Sequence, residues 1–135
     1  MVLVDTNVLL DLFTADKDWA DWSEFQLRAY AQVHRLLINP LIYAETSLAF
    51  DSPKLTDDAL AVLGVDVAEL PREALFLAGH AHVHYRRQGG AKAKTLTDFF
   101  IGAHAAVNDL ILLTRDAARY RDYFPTVKLI SPPRH

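Results

Sequence analysis

Met1-Val-Leu-Val-Asp5-Thr-Asn-Val-Leu-Leu-Asp11 is the stretch that decides the fold. Val2, Leu3 and Val4 form an apolar, β-prone run, and Thr6 to Leu12 reads as a helix, so Asp5 is expected where a buried strand becomes a helix. A strand this apolar belongs in a parallel sheet covered on both faces. In open sheets of that kind, ligands bind at the edge to which Asp5 is delivered. The carboxylate is therefore either a helix N-cap or part of a polar site.

Working outward, two more apolar runs repeat the pattern. Leu36 to Asn39 reads as a short buried strand, and Pro40 ends it while opening a helix over Leu41 to Phe50 that carries Glu45 about one turn from its start. Leu110 to Leu113 reads as another strand, followed by Thr114-Arg115-Asp116 and a short helix over Ala117 to Tyr123. Asp116 thus repeats the situation of Asp5. A weaker strand is expected within Val65 to Leu70 and a last one over Val127 to Ile130, beyond which Pro132-Pro133 prevents pairing.

Helices fill the intervals. Trp19 to Leu37 carries Trp19, Trp22, Phe25, Ala29, Tyr30 and Val33 at spacings of three and four, which predicts an amphipathic helix burying that stripe in the core or a subunit interface. Asp51 to Thr56 reads as a loop, with a helix from about Thr56 to a C-capping Gly64. Pro71 starts a helix running to about Gln88, stopped by Gly89-Gly90. His80, His82 and His84 lie within it. On a strand these imidazoles would share a face and resemble a metal site, whereas on a helix only His80 and His84 are neighbours. No role is assigned to them. Thr95 and Asp98 fit a capping box at the start of the next helix, which runs to Val107.

Composition bounds the rest. A chain of 135 residues, 51% of them hydrophobic, is expected to form one domain over residues 1–135 with a substantial core. Lacking cysteine, it has no disulfide and no thiolate metal site. Signal-like and membrane-spanning segments are not evident, which predicts a soluble, cytoplasmic protein with no membrane partner. The formal charge of −3 does not indicate nucleic acid by itself. Setting four acids aside in one site leaves 14 basic against 13 acidic residues, and Arg86, Arg87, Lys92 and Lys94 are bunched just ahead of Asp98. A nucleic-acid substrate is therefore permitted, and those cations would suit phosphate.

Strands separated by helices predict a parallel sheet with helices on both faces, and Asp5 and Asp116 then share one edge. Glu45 and Asp98, each in the opening turns of a helix, can be brought to it. Up to four carboxylates in one pocket disfavour one another's charge, so a cation is called for. An all-oxygen donor set selects a hard divalent ion, Mg²⁺ or Mn²⁺, and such an ion suits phosphodiester hydrolysis. Each acid also has an ordinary structural role available, as a cap or a solvated helix former.

Val-Leu-Val-Asp5-Thr6-Asn7, Glu45 after the second strand, Thr97-Asp98 leading into Phe-Phe-Ile-Gly-Ala-His-Ala, and Leu-Leu-Thr114-Arg115-Asp116 together resemble PIN-domain ribonucleases, and more narrowly the VapC toxins of toxin-antitoxin pairs. The likeness spans essentially the whole chain, and its specificity lies in the order and spacing of the four motifs. It implies an α/β, three-layer PIN-like fold with a mainly parallel sheet. It also implies an Mg²⁺- or Mn²⁺-dependent endoribonuclease in which Asp5, Glu45, Asp98 and Asp116 hold the metal and do the chemistry. Thr6, Asn7 and Thr114 would support that site, and Arg86, Arg87, Lys92, Lys94 and Arg115 would contact RNA. Implied partners are an RNA substrate, a small antitoxin lying across the groove, a second copy in a homodimer, and operator DNA reached through the antitoxin.

Other functions fit less well. A haloacid-dehalogenase-like phosphatase wants a carboxylate two residues after its aspartate, where this chain has Asn7. A response-regulator receiver wants paired acids after the first strand and a later lysine. A non-catalytic RNA-binding or protein-interaction module on the same fold is the alternative from a different class. Retained acids argue against it, because a groove that only binds phosphate is better served by cations.

Overall fold

The computed structural model describes residues 1–89 and 94–133. Five strands form a sheet in the order β3-β2-β1-β4-β5: β1 (Val2–Val4), β2 (Leu36–Ile38), β3 (Val65–Val67), β4 (Ile111–Leu113) and β5 (Leu129–Ile130). Every neighbouring pair is parallel. Seven helices flank it among the described residues: α1 (Thr6–Phe13), α2 (Ala20–Ala31), α3 (Pro40–Thr46), α4 (Pro53–Leu63), α5 (Arg72–Arg87), α6 (Leu96–Val107) and α7 (Ala118–Arg121).

Burial explains the strand order. Val2, Leu3 and Val4 are fully buried, as a strand with neighbours on both edges and helices on both faces must be. Val2 lies between Leu36 of β2 and Ile111 of β4, and Leu3 between Leu37 and Leu112. At the sheet's margin, β3 exposes Asp66 and Val67. The C-terminal ends of β1, β2 and β4 therefore lie side by side, which puts Asp5, Asn39 and Thr114 along one edge.

Several boundaries differ from the sequence reading, each for a local reason. The long helix ends at Ala31, and its buried residues are Ser23 and Leu27, while Phe25 and Val33 are 68% and 75% exposed. Trp22 and Tyr30 of the expected stripe pack against the core, and beside them Ser23 donates to the buried carboxylate of Asp11 at 3.0 Å, a polar anchor that hydrophobic spacing does not register. Helix α4 begins at Pro53, three residues early, with Ser52 accepting from the Leu55 amide as N-cap. Helix α3 stops at Thr46 and tightens into a 3₁₀ turn over Ser47–Ala49. Asn39 is not the last residue of β2 but the cap of α3, accepting from the amides of Leu41 and Ile42 at 3.1 and 2.9 Å. Strand β3 falls within its expected span, while β5 and helix α7 are shorter than expected. Gly64 ends α4 in the left-handed region at φ 71°, as a C-capping glycine should. Gly90, the second glycine after α5, lies outside the described residues.

Two features of α6 have measurable consequences. Gly102 is buried, and a Cβ built on it would overlap the ring of Phe124. Because Phe124 is itself buried, Gly102→Ala is expected to destabilise by about 1–3 kcal/mol, despite a helix-propensity gain of at most about 1 kcal/mol. Urea midpoints of the two proteins measure it.

His104 is fully buried, its Nδ1 3.3 Å from the side-chain amide of Asn39. That amide nitrogen can only donate, so Nδ1 accepts and Nε2 carries the proton. Nε2 has no hydrogen-bond partner among the described residues, and burial holds the imidazole pKa below its ordinary 6.5. A depressed folded-state value means the unfolded chain binds the proton more readily. The contribution to stability is complete above about pH 6.5 and is lost progressively as pH falls below it. Chemical denaturation from about pH 8 to pH 5 should show a steeper loss in wild type than in His104→Leu.

Candidate active site

Asp5 leaves β1 in extended conformation and caps α1, its Oδ1 accepting from the Thr6 amide at 2.7 Å. Its own amide donates to the Leu113 carbonyl at 2.9 Å, which ties the residue to β4. On the other oxygen, Oδ2 accepts from the hydroxyls of Tyr120 at 2.7 Å and Thr114 at 2.8 Å. So Asp5 is both the cap and the centre of a polar site, and the two roles suggested by sequence are not exclusive.

The electrostatics of Asp5 are a contest. Burial favours the neutral acid, and the nearby charge of Asp98 pushes the same way. Hydrogen bonds from Tyr120, Thr114 and the Thr6 amide favour the carboxylate. Burial wins, and the pKa is raised above 3.8. Tyr120 is pushed well above the usual phenol value, first by burial and then by the charge of Asp5, so it remains a donor at any ordinary pH.

Glu45 joins through Thr6, whose hydroxyl donates to Oε1 at 2.7 Å. The capped start of α3 at Asn39 sets where that helix, and hence Glu45, approaches the edge. Asn7 links the third loop: its side-chain oxygen accepts from the Arg115 amide at 3.1 Å, and its side-chain nitrogen lies 3.4 Å from the Thr114 hydroxyl. Thr114 in turn accepts from the Asp116 amide at 3.0 Å. Thr6, Asn7 and Thr114 therefore bind the acid-bearing segments to one another.

Asp98 is buried in the first turn of α6, where the capping box with Thr95 forms as read from sequence. Its Oδ2 accepts from the Thr95 amide at 2.9 Å, and its Oδ1 faces Nη1 of Arg119 at 3.5 Å. The same guanidinium reaches Asp116, with Nε 2.8 Å from Oδ2. Arg119 feels burial first, which lowers its pKa, but the charges of Asp98, Asp116 and Asp5 outweigh this and raise it.

All four acids thus gather at one edge, Glu45 bridged to the start of α1 by Thr6, and Asp98 to Asp116 by Arg119. Among the described residues, no three His, Cys, Asp or Glu side chains stand close enough together to hold a metal as they are. The donor set is nonetheless wholly oxygen, and the charge of Asp98 disfavours that of buried Asp5 even with Arg119 beside Asp98, which is the chemistry a hard divalent ion fits.

Arg119 and Tyr120 were not among the residues singled out from sequence. Arg119 was legible as the i+3 partner of Asp116. Tyr120 gave no signal, because its role depends on α7 folding back over Asp5.

The basic residues divide. Arg115 is committed to buried Asp11 by two bonds of 2.9 and 3.0 Å and lies over the Trp19 ring. Lys94 pairs with Asp122 at 3.4 Å and sits over the ring of Tyr123, with its side chain only 14% exposed. Arg86 and Arg87 are exposed near the end of α5, and Lys92 lies outside the described residues. The three histidines are on a helix and do not converge: His80 stacks on Phe76 at 3.9 Å, His82 meets the edge of Phe99, and His84 that of Tyr123.

A family model described as PIN domain matches residues 2–123. No curated protein matches the chain. Among solved structures, VapBC2 from Rickettsia felis bound to a promoter DNA fragment is similar, with 16% identity over 97% of this chain and 98% of that one and a TM-score of 0.72. A toxin-antitoxin complex from Klebsiella pneumoniae aligns over 100% of both chains at 18% identity and TM-score 0.71. VapBC-1 from nontypeable Haemophilus influenzae covers 97% of this chain and 98% of that one at 17% identity and TM-score 0.71. At such identities the likeness is one of fold.

Proposed function

This chain belongs to the PIN domain family, and from that premise we propose that it is a divalent-metal-dependent endoribonuclease and the toxin of a toxin-antitoxin pair. The observation that carries the reading is Asp5. A carboxylate buried at the edge of the sheet, held by two hydroxyls and an amide beside a second buried acid, is an expensive arrangement for a cap alone.

In this reading Asp5, Glu45, Asp98 and Asp116 hold Mg²⁺ or Mn²⁺. When bound, such an ion would supply charge neutralisation for a phosphate and a more acidic water. The chain's own residues do the positioning. Tyr120 and Thr114 fix the carboxylate plane of Asp5, Thr6 restrains Glu45, and the Asn7–Thr114 link keeps the Asp116 loop against α1. Of the cations read from the sequence, Arg86 and Arg87 are exposed and would meet the RNA backbone, with Lys92 a further one by sequence. Arg115 and Lys94 already have internal partners, so their part in RNA contact would require exchanging them.

The similar structures are toxin-antitoxin complexes, one of them on promoter DNA, which supports an antitoxin partner and operator binding through it. A homodimer is the expected assembly of the toxin. The described residues contain no helix long and apolar enough to cross a membrane, consistent with action on RNA in the cytoplasm.

The test is incubation of the antitoxin-free protein with pooled tRNA and ribosomal RNA, with Mg²⁺, with Mn²⁺ and with chelator. Discrete cuts that need the metal are expected. RNA bound but never cut under any of these conditions would overturn the nuclease and favour the binding module.

A further inference from the structure

The feature the family reading leaves without a role is Arg119. Its guanidinium makes an ion pair with Asp98 on one side and Asp116 on the other, at 3.5 and 2.8 Å, and it feels the charge of Asp5 as well. Those are three of the four acids assigned above to the metal. Among the described residues it is the cation nearest to that role, and it reaches these acids from α7, the same short helix that delivers Tyr120 to Asp5.

We propose that Arg119 is the resident counter-cation of the metal-free site and competes with the divalent ion for Asp98 and Asp116, so that it sets the metal concentration at which the site loads. The proposal rests on the metal-site reading above and adds what opposes loading. Several observations favour it. Among the described residues no cluster of three acids stands ready for a metal, although four lie at one edge, and a guanidinium bridges two of them. An arginine does not lose its proton at any usable pH, so its charge can be removed from the acids only by moving the side chain. That movement is open to it, because the side chain is 43% exposed and its closer partner, Asp116, is itself as exposed. The ion pairs it would give up are partly solvated, so the barrier it sets is modest and graded, not a lock.

A clamp that merely holds α7 against α6 makes the opposite prediction about metal affinity: loosening the clamp would scatter the acids and weaken binding. The experiment is calorimetric titration of Mn²⁺ into chelator-stripped wild type, Arg119→Gln and Arg119→Lys at low ionic strength. Arg119→Gln should bind Mn²⁺ about three- to ten-fold more tightly than wild type, the range expected when a partly exposed ion pair no longer competes. Arg119→Lys, whose point charge cannot bridge two carboxylates in the same way, should fall between. In metal-free buffer Arg119→Gln should melt below wild type, and saturating Mn²⁺ should remove the difference.

Equal or weaker Mn²⁺ binding by folded Arg119→Gln, with wild type binding normally, would overturn the competition while leaving the metal site standing. Failure of wild type and both variants to bind Mn²⁺ would instead remove the metal site, and this proposal with it. Should Arg119→Gln not fold, Arg119→Lys decides alone: tighter binding than wild type supports competition, and equal or weaker binding contradicts it.

Discussion

Asp5→Asn is expected to reduce RNA cleavage by more than about 100-fold, since losing even a partner of a metal ligand costs about 10–100-fold. The protein should nevertheless fold. Asparagine is as good an N-cap as aspartate, so its side-chain oxygen can keep the Thr6 amide, and the Tyr120 hydroxyl can turn to accept from its nitrogen, while Thr114, which already accepts from the Asp116 amide and Asn7, gives up its bond. The Tyr120 proton then loses its acceptor, while the cost of a buried charge next to Asp98 disappears. These effects oppose each other, and the net change in metal-free stability should be within about 1 kcal/mol. The sign varies with pH. Because the folded-state pKa of Asp5 is raised, its contribution to stability is complete below 3.8 and is lost as pH rises through the raised value. Wild type should thus lose ground to Asp5→Asn as pH rises above about 4, and paired denaturation curves would read this directly. A variant several kcal/mol less stable, with activity lost only in proportion to the folded fraction, would make Asp5 a cap and nothing more.

Phe99→Ala should have the largest effect on stability. Phe99 follows Asp98, is essentially inaccessible to solvent, and is ringed by Tyr85, Tyr123, Phe124 and His82 at centroid distances of 5.5, 5.4, 5.9 and 5.2 Å. It is where α5, α6 and the segment after α7 meet. Truncation leaves a cavity walled by large rings that cannot close, for a loss of about 3–5 kcal/mol. Against a typical total of about 5–15 kcal/mol, that takes the protein close to unfolding at ordinary temperatures. Urea denaturation with an unchanged slope would show that the folded state, not the unfolded one, is affected. A loss below about 1 kcal/mol would mean that the aromatic cluster collapses freely around the gap.

What could be read from the sequence was whatever depends on neighbours along the chain. Val2 to Val4, Leu36 to Ile38 and Leu110 to Leu113 announce buried parallel strands because their apolar runs are uninterrupted, and the Thr95–Asp98 capping box is a matter of three-residue spacing. Of the stripe on α2, Trp22 and Tyr30 pack against the core as read, while Ser23 and its contact with Asp11 between two helices gave no hydrophobic signal. Likewise Arg115 looked like a free cation beside the site, whereas Asp11, 104 positions away, holds it in a bidentate pair. Tyr120 reaches Asp5, and Arg119 reaches Asp98, only when α7 packs back on the rest of the fold, whereas the pairing of Arg119 with Asp116 is local. Three histidines in five residues invited a metal centre, and helical geometry dispersed them.

The central claim is that a divalent ion sits among Asp5, Glu45, Asp98 and Asp116. Anomalous scattering from crystals soaked in Mn²⁺ tests it most directly. The expected map has its main peak at the C-terminal edge of β1 and β4, within coordination distance of Asp5 and Asp98, with Arg119 withdrawn from at least one of its acids. Manganese found only at His80 and His84, or absent from the acidic edge at saturating concentration, would contradict the account.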